Sequence, residues 1–209
     1  MSDCSFIIVG GGGHARVVAS TLRRLGETIL GFTDPDEEAT LGDGIEHLGR
    51  DKILTEKDPS KVALTMGMGS VRDTGHRAGL FTEQVENGFR FPTLIHPDAV
   101  LASEAKTKAG VQVMAGGVIQ PGASLGENVI VNTNASVDHD CQIGAHSHVA
   151  SGATLSGEVV LESQVHVGTG ASIIQGVDVG KNSVVGAGAV VIEDVPPETV
   201  VIGVPAHPK

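Results

Sequence analysis

A six-residue repeat dominates the second half of this sequence. Every sixth position from Ile95 to Val191 carries an aliphatic residue, and Thr107 is the one exception among the seventeen. A fixed hexad is typical of a parallel β-helix, in which each repeat forms a short strand and a turn. Three hexads would close one triangular coil, so the tract predicts a prism of about five and a half coils, roughly 25 Å long. A β-sandwich would need alternation with a period of two instead.

Small residues and glycines accompany the aliphatic positions. The residue two places before the aliphatic is small at Ala99, Ala105, Ala123, Ala135, Cys141, Ser147, Ala153, Ala171, Ser183 and Ala189. A glycine follows the aliphatic at Gly126, Gly144, Gly168, Gly180 and Gly186. We expect the small residues to fill the corners of the prism and the glycines to supply turn conformations that other residues resist. Cys141 is then a core residue rather than a nucleophile.

Composition narrows the class of protein. The 209 residues are sufficient for one large or two small domains, and they include no Trp or Tyr, which suits a narrow prism. The net charge of −11 argues against nucleic acid as a partner. Two cysteines, Cys4 and Cys141, exclude a disulfide framework and favour a cytoplasmic location. No apolar run is long enough for a membrane span, and the first residues do not resemble a signal peptide.

Residues 1–92 predict a different, Rossmann-like α/β domain, followed by the β-helix in residues 93–209. A strand at 6–9, a helix at 15–25 and a strand at 28–32 form one βαβ unit. A further strand is predicted at 61–66, a helix from Ser70 to about Asn87, and a short strand at 89–91. Residues 36–60 give no clear pattern. The tail, 196–206, breaks the hexad and is expected to cap or leave the prism.

A glycine loop joins the first strand to the first helix. Gly10, Gly12 and Ala15 satisfy the pattern G-x-G-x-x-[G/A] in the required strand-to-helix context. The amides of this loop and the helix N-terminus would attract a diphosphate. The diphosphate could belong to NAD or to a nucleotide sugar, and a third interpretation is a turn without a ligand. His14 is either a phosphate donor or a surface residue, and Asp34 lies where a ribose or base would be read.

Four histidines, His139, His146, His148 and His166, follow the midpoint of the repeat. With eighteen residues per coil, His148 lies directly beneath His166, whereas His139 and His148 lie half a coil apart on opposite sides of the prism. Both could serve one site only if prisms pack side by side, for which a cyclic trimer is the natural closed solution. Next to Asp140, His139 suits a general base, although a solvent-facing role is equally compatible. A metal site is not favoured, because the histidines are scattered within one chain.

With these motifs in this order, the sequence resembles a known family, the bacterial nucleotide-amino-sugar N-acetyltransferases with a left-handed β-helix, the PglD, PerB and NeuD group. The resemblance spans nearly the whole chain. It rests on residues 8–15, 94–97, 131–133, 139–144 and 203–206. It implies a homotrimer that transfers an acetyl group from acetyl-CoA to a 4-amino-4,6-dideoxy sugar on UDP or GDP, such as GDP-perosamine. No metal is implied. The left-handedness of the helix is likewise an expectation from the resemblance.

The resemblance also assigns roles to individual residues. It makes His139 the catalytic base and Asp140 its acidic partner. Acetyl-CoA would be bound by His148, Gly157 and Thr169, with the Gly157 amide facing the thioester. The nucleotide sugar would be bound by Gly11, Gly12, Gly13, His14, Asp34, Asn132 and His148. Some members that use UDP-sugars have two consecutive acidic residues where this chain has Asp34 and Pro35. The nucleobase of the substrate therefore stays open between uracil and guanine.

Two other functions remain compatible with the sequence. The NeuD branch includes sialic acid O-acetyltransferases, so transfer to a hydroxyl group stays open. A non-catalytic NAD-binding module fused to a structural solenoid would share the glycine loop, but it would give His139 and Asp140 no task. Titration with NADH and with acetyl-CoA would separate that module from an acetyltransferase.

Overall fold

The computed structural model describes residues 5–42, 44–70 and 74–209. Its N-terminal part is a four-stranded parallel sheet in the order β3-β2-β1-β4. The elements run in the order β1 (Ser5–Val9), α1 (Gly13–Arg24), β2 (Thr28–Thr33), β3 (His47–Gly49), a 3-10 helix (Asp51–Glu56), β4 (Val62–Met66) and α2 (Gly75–Glu86). This is the predicted Rossmann-like α/β arrangement, with β1, α1 and β2 as its βαβ unit.

The first helix follows the pattern of its apolar residues. Val18 and Leu22 are fully buried on one face, while Arg23 and Arg24 occupy the last turn near the negative end of the helix dipole. Gly26 has a φ of +75° and ends the helix as predicted. Helix α1 begins two residues earlier than expected, within the glycine loop itself.

Three details of the N-terminal part differ from prediction. The unassigned segment contains β3 and the 3-10 helix, both too short to give a periodic signal. The strand predicted at 89–91 is reduced to one bridge between Arg90 and Ala63. Helix α2 has Thr74 rather than Ser70 at its N-cap, and Ser70 bonds to the prism instead. Of the predicted helix, residues 71–73 lie outside the described residues, and so does Cys4.

The C-terminal part is the predicted prism, with three parallel sheets as its faces. The first face contains Leu94–Ile95, Gln112–Val113, Ile130–Val131, His148–Val149, His166–Val167, Val184–Val185, Val200–Ile202 and the antiparallel His207–Pro208. The second contains Val100–Leu101, Val118–Ile119, Ser136–Val137, Thr154–Leu155, Ser172–Ile173 and Val190–Val191. The third contains Lys106–Thr107, Ser124–Leu125, Gln142–Ile143, Val160–Leu161 and Asp178–Val179. Within the hexad tract, each strand pairs with the strand eighteen residues away, as the hexad requires.

The aliphatic positions fill the prism from its second coil onward. Val113, Ile119 and Val131 are fully buried, and so are the small corner residues from Ala123 to Ala189. Cys141 is one of these corner residues, and burial raises the pKa of its thiol to about 11. The prediction that it is a core residue is confirmed.

The positions that follow the aliphatic residues require glycine for a different reason from the one predicted. None of Gly126, Gly144, Gly168, Gly180 and Gly186 has a positive φ. A Cβ at Gly126 would lie 2.6 Å from the backbone nitrogen of Ala145, and one at Gly168 would lie 2.5 Å from that of Ala187. These glycines therefore allow the next coil to approach closely. The left-handed turn residues occupy another register, every sixth position from 110 to 188, and include Asn128, Asn134 and Asp140.

The N-terminal part packs on the early strands of the first face. Leu94 and Met114 of the prism belong to the same apolar cluster as Phe6 and Phe32. Arg77 of α2 is 2% exposed, donates from Nη2 to the carbonyl oxygen of His146 at 2.6 Å, and donates from Nη1 to that of Asn128. The strands after His148 are left uncovered by this contact. Among the described residues, no helix is long and apolar enough to cross a membrane.

Candidate active site

His139 lies on an exposed corner between the second and third faces of the prism. It sits in the turn between Ser136–Val137 and Gln142–Ile143, and its side chain is 48% exposed. Its backbone N–H donates to the Asp138 carboxylate at 2.8 Å. This hydrogen bond fixes the backbone of the turn, and about half of the side chain stays accessible.

Asp140 orients the imidazole of His139. Nδ1 of His139 lies 3.0 Å from Oδ2 of Asp140, and an ionised carboxylate can only accept a hydrogen bond, so Nδ1 carries the proton of the neutral ring. Nε2 then holds the lone pair. Hydrogen bonding to Asp140, helped by the negative charges of Asp138 and Glu158, raises the pKa of His139 above its ordinary value.

Gly157 lies one coil further along, directly beside the ring. A Cβ at this position would collide with Cε1 and Nε2 of His139. The φ of Gly157 is not left-handed, so glycine is needed here for the space that His139 occupies. The N–H of Gly157 donates to no described residue. One corner therefore combines a basic nitrogen with a backbone donor.

A second group of predicted residues meets on the first face, where the two parts of the chain touch. Nδ1 of His148 lies 3.1 Å from the carbonyl oxygen and 3.0 Å from Oγ of Ser70. Nε2 of the same ring accepts a hydrogen bond from Nδ2 of Asn132 at 3.2 Å. The Asn132 amide is fixed in turn, because its Oδ1 accepts from the N–H of Thr133 at 2.8 Å. The backbone N–H of Ser70 also approaches Nδ1, at 3.3 Å, so Ser70 and Asn132 hold the His148 ring from its two sides.

His148 is electrostatically the opposite of His139. Burial, together with the neighbouring His166, lowers the pKa of His148 to about 3, so its ring is neutral at ordinary pH. His166 contacts it edge to face, with 5.2 Å between ring centroids, as the predicted stacking of the two residues requires. Burial lowers the pKa of His166 as well.

A cavity of about 630 Å³ opens beside these histidines. Its walls are mostly apolar and run along the uncovered part of the first face, with His148 at one end and Ile202 and Lys209 at the other. Asn132 and Thr169 also line it. Its size and its apolar walls with few polar groups suit the elongated arm of a cofactor such as CoA.

The glycine loop has a closed half and an open half. Gly10 has a φ of +103°, and a Cβ at Gly11 would lie 2.7 Å from the ring of Phe32, so both positions require glycine. The N–H of Gly11 donates to Oδ2 of Asp34 at 2.6 Å. A Cβ at Gly12 or Gly13 would meet nothing within 4 Å. The open half coincides with the N-terminus of α1, where an anion is favoured.

His14 connects this loop to the prism. Its Nε2 lies 2.7 Å from Oε1 of Gln112, whose amide nitrogen donates to Oγ1 of Thr65 and to the carbonyl oxygen of Met66. Because that amide nitrogen is already the donor, Nε2 of His14 donates to Oε1. Burial lowers the pKa of His14. The ring is thus neither exposed nor free to donate through Nε2 to a phosphate.

The structure divides the predicted site residues into two sets. His139, Asp140 and Gly157 share one corner. The residues Gly11, Gly12, Gly13, His14, Asp34, Asn132, His148 and Thr169 lie on or near the first face, across the prism from that corner. Sequence arithmetic placed His139 and His148 on opposite sides, and the strand positions agree.

Sequence reasoning missed Ser70, Gln112 and Arg77, which hold the two parts together. Gln112 occupies the same register of the repeat as His148, two coils earlier, but the repeat does not show that its side chain reaches the N-terminal part. Ser70 and Arg77 belong to no motif or repeat. Among the described residues, no cluster of three or more His, Cys, Asp or Glu side chains could hold a metal ion.

Two family models match the sequence. Residues 5–76 match the PglD N-terminal domain, and residues 122–157 match six repeats of the bacterial transferase hexapeptide. The second match ends at Gly157 and contains His139 and Asp140. The first covers the glycine loop and Asp34.

Solved structures of acetyltransferases resemble the whole chain. The acetyltransferase domain of PglB from Neisseria gonorrhoeae, in complex with acetyl coenzyme A, is 36% identical with a TM-score of 0.92, and the match covers 98% of each chain. PerB from Caulobacter crescentus, in complex with CoA and GDP-perosamine, is 36% identical with a TM-score of 0.91 over 98% of this chain and 97% of its own. WeeI from Acinetobacter baumannii shares the fold, at 24% identity and a TM-score of 0.88 over 99% of this chain and 100% of its own. The prism is thus the expected left-handed β-helix.

Proposed function

Because this chain belongs to the PglD and PerB group of nucleotide-amino-sugar acetyltransferases, we propose that it acetylates the 4-amino group of a 4-amino-4,6-dideoxy sugar carried on UDP or GDP, with acetyl-CoA as the donor. The observation that carries the proposal is that two histidines have opposite pKa shifts and opposite exposure. His139 is exposed and made more basic by Asp140, whereas His148 is buried and neutral beside the cavity. The likeness to PerB, which was solved with CoA and GDP-perosamine, supports a substrate of this class.

The nucleotide diphosphate binds at the open half of the glycine loop. The absence of neighbours at Gly12 and Gly13 supports this placement, since oxygen atoms of a phosphate can approach the bare backbone there. Asp34 stands beside the loop with one carboxylate oxygen on Gly11 and the other accepting from the N–H of Asp36 at 2.9 Å. The remaining lone pairs of its carboxylate oxygens accept hydrogen bonds from the nucleoside.

His139 acts as the general base. The lone pair on its Nε2 takes a proton from the amine as the amine nitrogen forms a bond to the thioester carbon of acetyl-CoA. Asp140 keeps the proton on Nδ1 and stabilises the imidazolium ion that forms. As the carbon–sulfur bond breaks, the imidazolium ion returns that proton to the sulfur, so CoA leaves as a thiol and His139 is neutral again. No covalent enzyme intermediate is required.

Gly157 supplies the group that stabilises the developing oxyanion. Its N–H has no acceptor among the described residues, and the position lies directly beside His139. One preorganised backbone donor of this kind contributes about 3 kcal/mol to transition-state stabilisation. The nitrogen that takes the proton and the donor that receives the oxygen are therefore neighbours on one corner.

The complete site is formed by two chains. His139 and Gly157 lie on one corner of the prism, and the glycine loop, Asn132 and His148 lie near the opposite face. These two sets can face each other when prisms pack side by side, and a closed homotrimer provides three identical sites of this kind. The cavity along the uncovered first face receives the pantetheine arm of CoA, with Thr169 in its wall.

The experiment is an assay of CoA release with acetyl-CoA and UDP- or GDP-linked 4-amino sugars, using wild-type protein and His139→Asn. We expect acetylation of the amine, and a kcat lower by about a hundredfold or more in the variant, the usual scale for a lost general base. The matched control is His96→Asn. His96 also lies near an aspartate, with Nδ1 3.8 Å from the Asp98 carboxylate, but on the first coil.

Three outcomes would contradict the proposal. Near-wild-type kcat in His139→Asn, with an unchanged melting temperature, would remove the assigned base. Acetylation of sugar hydroxyl groups but not amines would favour the O-acetyltransferase alternative. Tight binding of NADH, with no affinity for UDP, GDP or CoA, would favour a dinucleotide-binding module.

A further inference from the structure

Three glycines near the first face have no structural reason to be glycine. They are Gly12, Gly13 and Gly69, and none of them has a left-handed φ. A Cβ at Gly12 or Gly13 would meet nothing within 4 Å. At Gly69, which is exposed, a Cβ would make only ordinary contacts, 3.6 Å from Cβ of His14 and 3.8 Å from Cε1 of His148. Beside the proposed diphosphate position and the cavity, the bare backbone at these glycines leaves space that a ligand can occupy and that a side chain would fill.

The neighbouring glycines show the contrast. Gly10 has a φ of +103°, and a Cβ at Gly11 would collide with Phe32. At Gly67 a Cβ would lie 2.5 Å from the carbonyl oxygen of Gly10 and 2.8 Å from Cβ of Ala15. These three positions are glycine because the fold demands it.

The unexplained glycines lie along one path. Gly13 opens α1, and His14 follows it. Gly69 lies between His14 and His148, whose ring is at the end of the cavity. The path thus runs from the helix N-terminus, across the bare backbone of Gly69, to the cavity. It connects the proposed diphosphate position with the proposed acyl-donor position.

We infer that the sugar ring of the substrate lies against the backbone of Gly69, and that Gly69 is a specificity-determining residue which limits the bulk of the sugar. This inference rests on the proposed function. The sugar is bonded directly to the diphosphate, so it must occupy the space next to Gly12 and Gly13 on the way to the reacting groups. CoA enters along the cavity beyond His148 and does not need this space.

The experiment compares Gly69→Ala and Gly69→Val with wild-type protein. We expect the KM for the nucleotide-linked amino sugar to rise about tenfold with alanine and about a hundredfold with valine, the range that one or a few misplaced methyl groups produce in a binding pocket. The Kd values of free UDP or GDP and of CoA, measured by titration, should stay within about twofold, because neither ligand crosses Gly69. The melting temperature of Gly69→Ala should not fall, because its Cβ meets no close contact.

Gly79→Ala is the matched control. Gly79 is an exposed position of α2 where a Cβ also meets nothing within 4 Å, so this variant should bind every ligand as wild type does. An unchanged KM in both Gly69 variants would overturn the inference and leave the proposed function intact. Equal loss of UDP, GDP and CoA binding together with a lower melting temperature would make Gly69 a structural glycine, which also overturns it. Wild-type protein that binds no nucleoside diphosphate would overturn the proposed function and this inference together.

Discussion

The immediate neighbours of single histidines in this protein change the pKa values of their side chains. The hydrogen bond to Asp140 raises the pKa of the exposed His139, while burial lowers the pKa of His148 to about 3. Of these two histidines, His139 is therefore the one that can bind a proton near neutral pH, and its Nε2 has no partner among the described residues. Chemically identical side chains nine residues apart therefore suit different tasks, proton transfer and the support of Asn132.

Asp140→Asn tests this adjustment through the pH dependence of the reaction. The carboxylate stabilises the imidazolium form, so its removal should lower the pKa of His139 and leave the ring unprotonated down to a lower pH. The acidic limb of the profile of kcat/KM against pH should therefore move to lower pH, and the plateau should fall because the base is weaker. Asparagine tolerates the left-handed backbone at this position, where φ is +59°, so the turn should be preserved. A limb that stays in place or moves to higher pH would contradict the assignment.

The pairing of His139 with an acidic neighbour was visible in the sequence because the two residues are adjacent. The role of Ser70 was not visible, since its contact with His148 joins residues 78 positions apart. The hydrogen bond from His14 to Gln112 spans 98 positions for the same reason. Adjacency therefore predicted the contact of His139 with Asp140, and the eighteen-residue coil predicted that Gly157 stacks on His139. The polar contacts between the two parts required the structure.

At the level of elements, the prism depends on two classes of glycine with different physical roles. Glycines such as Gly126 leave room for the backbone of the next coil, while glycines such as Gly176 adopt a left-handed turn, with a φ of +74°. The repeat predicted the strands, their register and the buried positions, because a period of six fixes which residues stack. It did not separate the two glycine classes, since both recur at multiples of the same period.

Alanine substitutions separate the two classes. Gly176→Ala places a Cβ in open space and pays only the backbone cost of a left-handed residue, about 1–2 kcal/mol. Gly126→Ala places a Cβ 2.6 Å from the Ala145 nitrogen, which cannot move without shifting a coil, so the loss should exceed about 2 kcal/mol. Urea unfolding of both variants measures the difference in the free energy of unfolding. Equal losses, or a larger loss for Gly176→Ala, would show that close approach is not the reason for glycine at 126.

At the level of the whole molecule, the two sets of site residues lie on opposite sides of one prism, so a site that uses both sets requires two chains. The sequence predicted this from the spacing of His139 and His148, and the strand positions place the two residues across the prism from each other. The division into domains at residues 1–92 and 93–209 stays a prediction. Shared apolar packing of Leu94 and Met114 with Phe6 and Phe32 links the two parts closely.

Hybrid trimers test whether two chains form each site. His139→Asn should abolish proton transfer, and Gly12→Val should block the diphosphate position, so each variant alone should be nearly inactive. In an equal mixture after subunit exchange, about one site in four should combine an intact His139 with an intact glycine loop from its neighbour, which restores roughly a quarter of the wild-type activity. No recovery after verified exchange, or a monomeric mass by light scattering, would contradict a shared site.

The absence of Trp and Tyr, which suits the narrow aliphatic prism, also determines the optical properties of the protein. The chain has no Trp or Tyr, and its five phenylalanines, Phe6, Phe32, Phe81, Phe89 and Phe91, all precede the first strand of the prism. The protein itself therefore absorbs weakly in the near ultraviolet and has almost no intrinsic fluorescence. The adenine ring of CoA and the base of a nucleotide sugar absorb strongly in that region. The binding of both ligands can therefore be measured directly by ultraviolet absorbance, because the protein contributes little to the signal and no added label is needed.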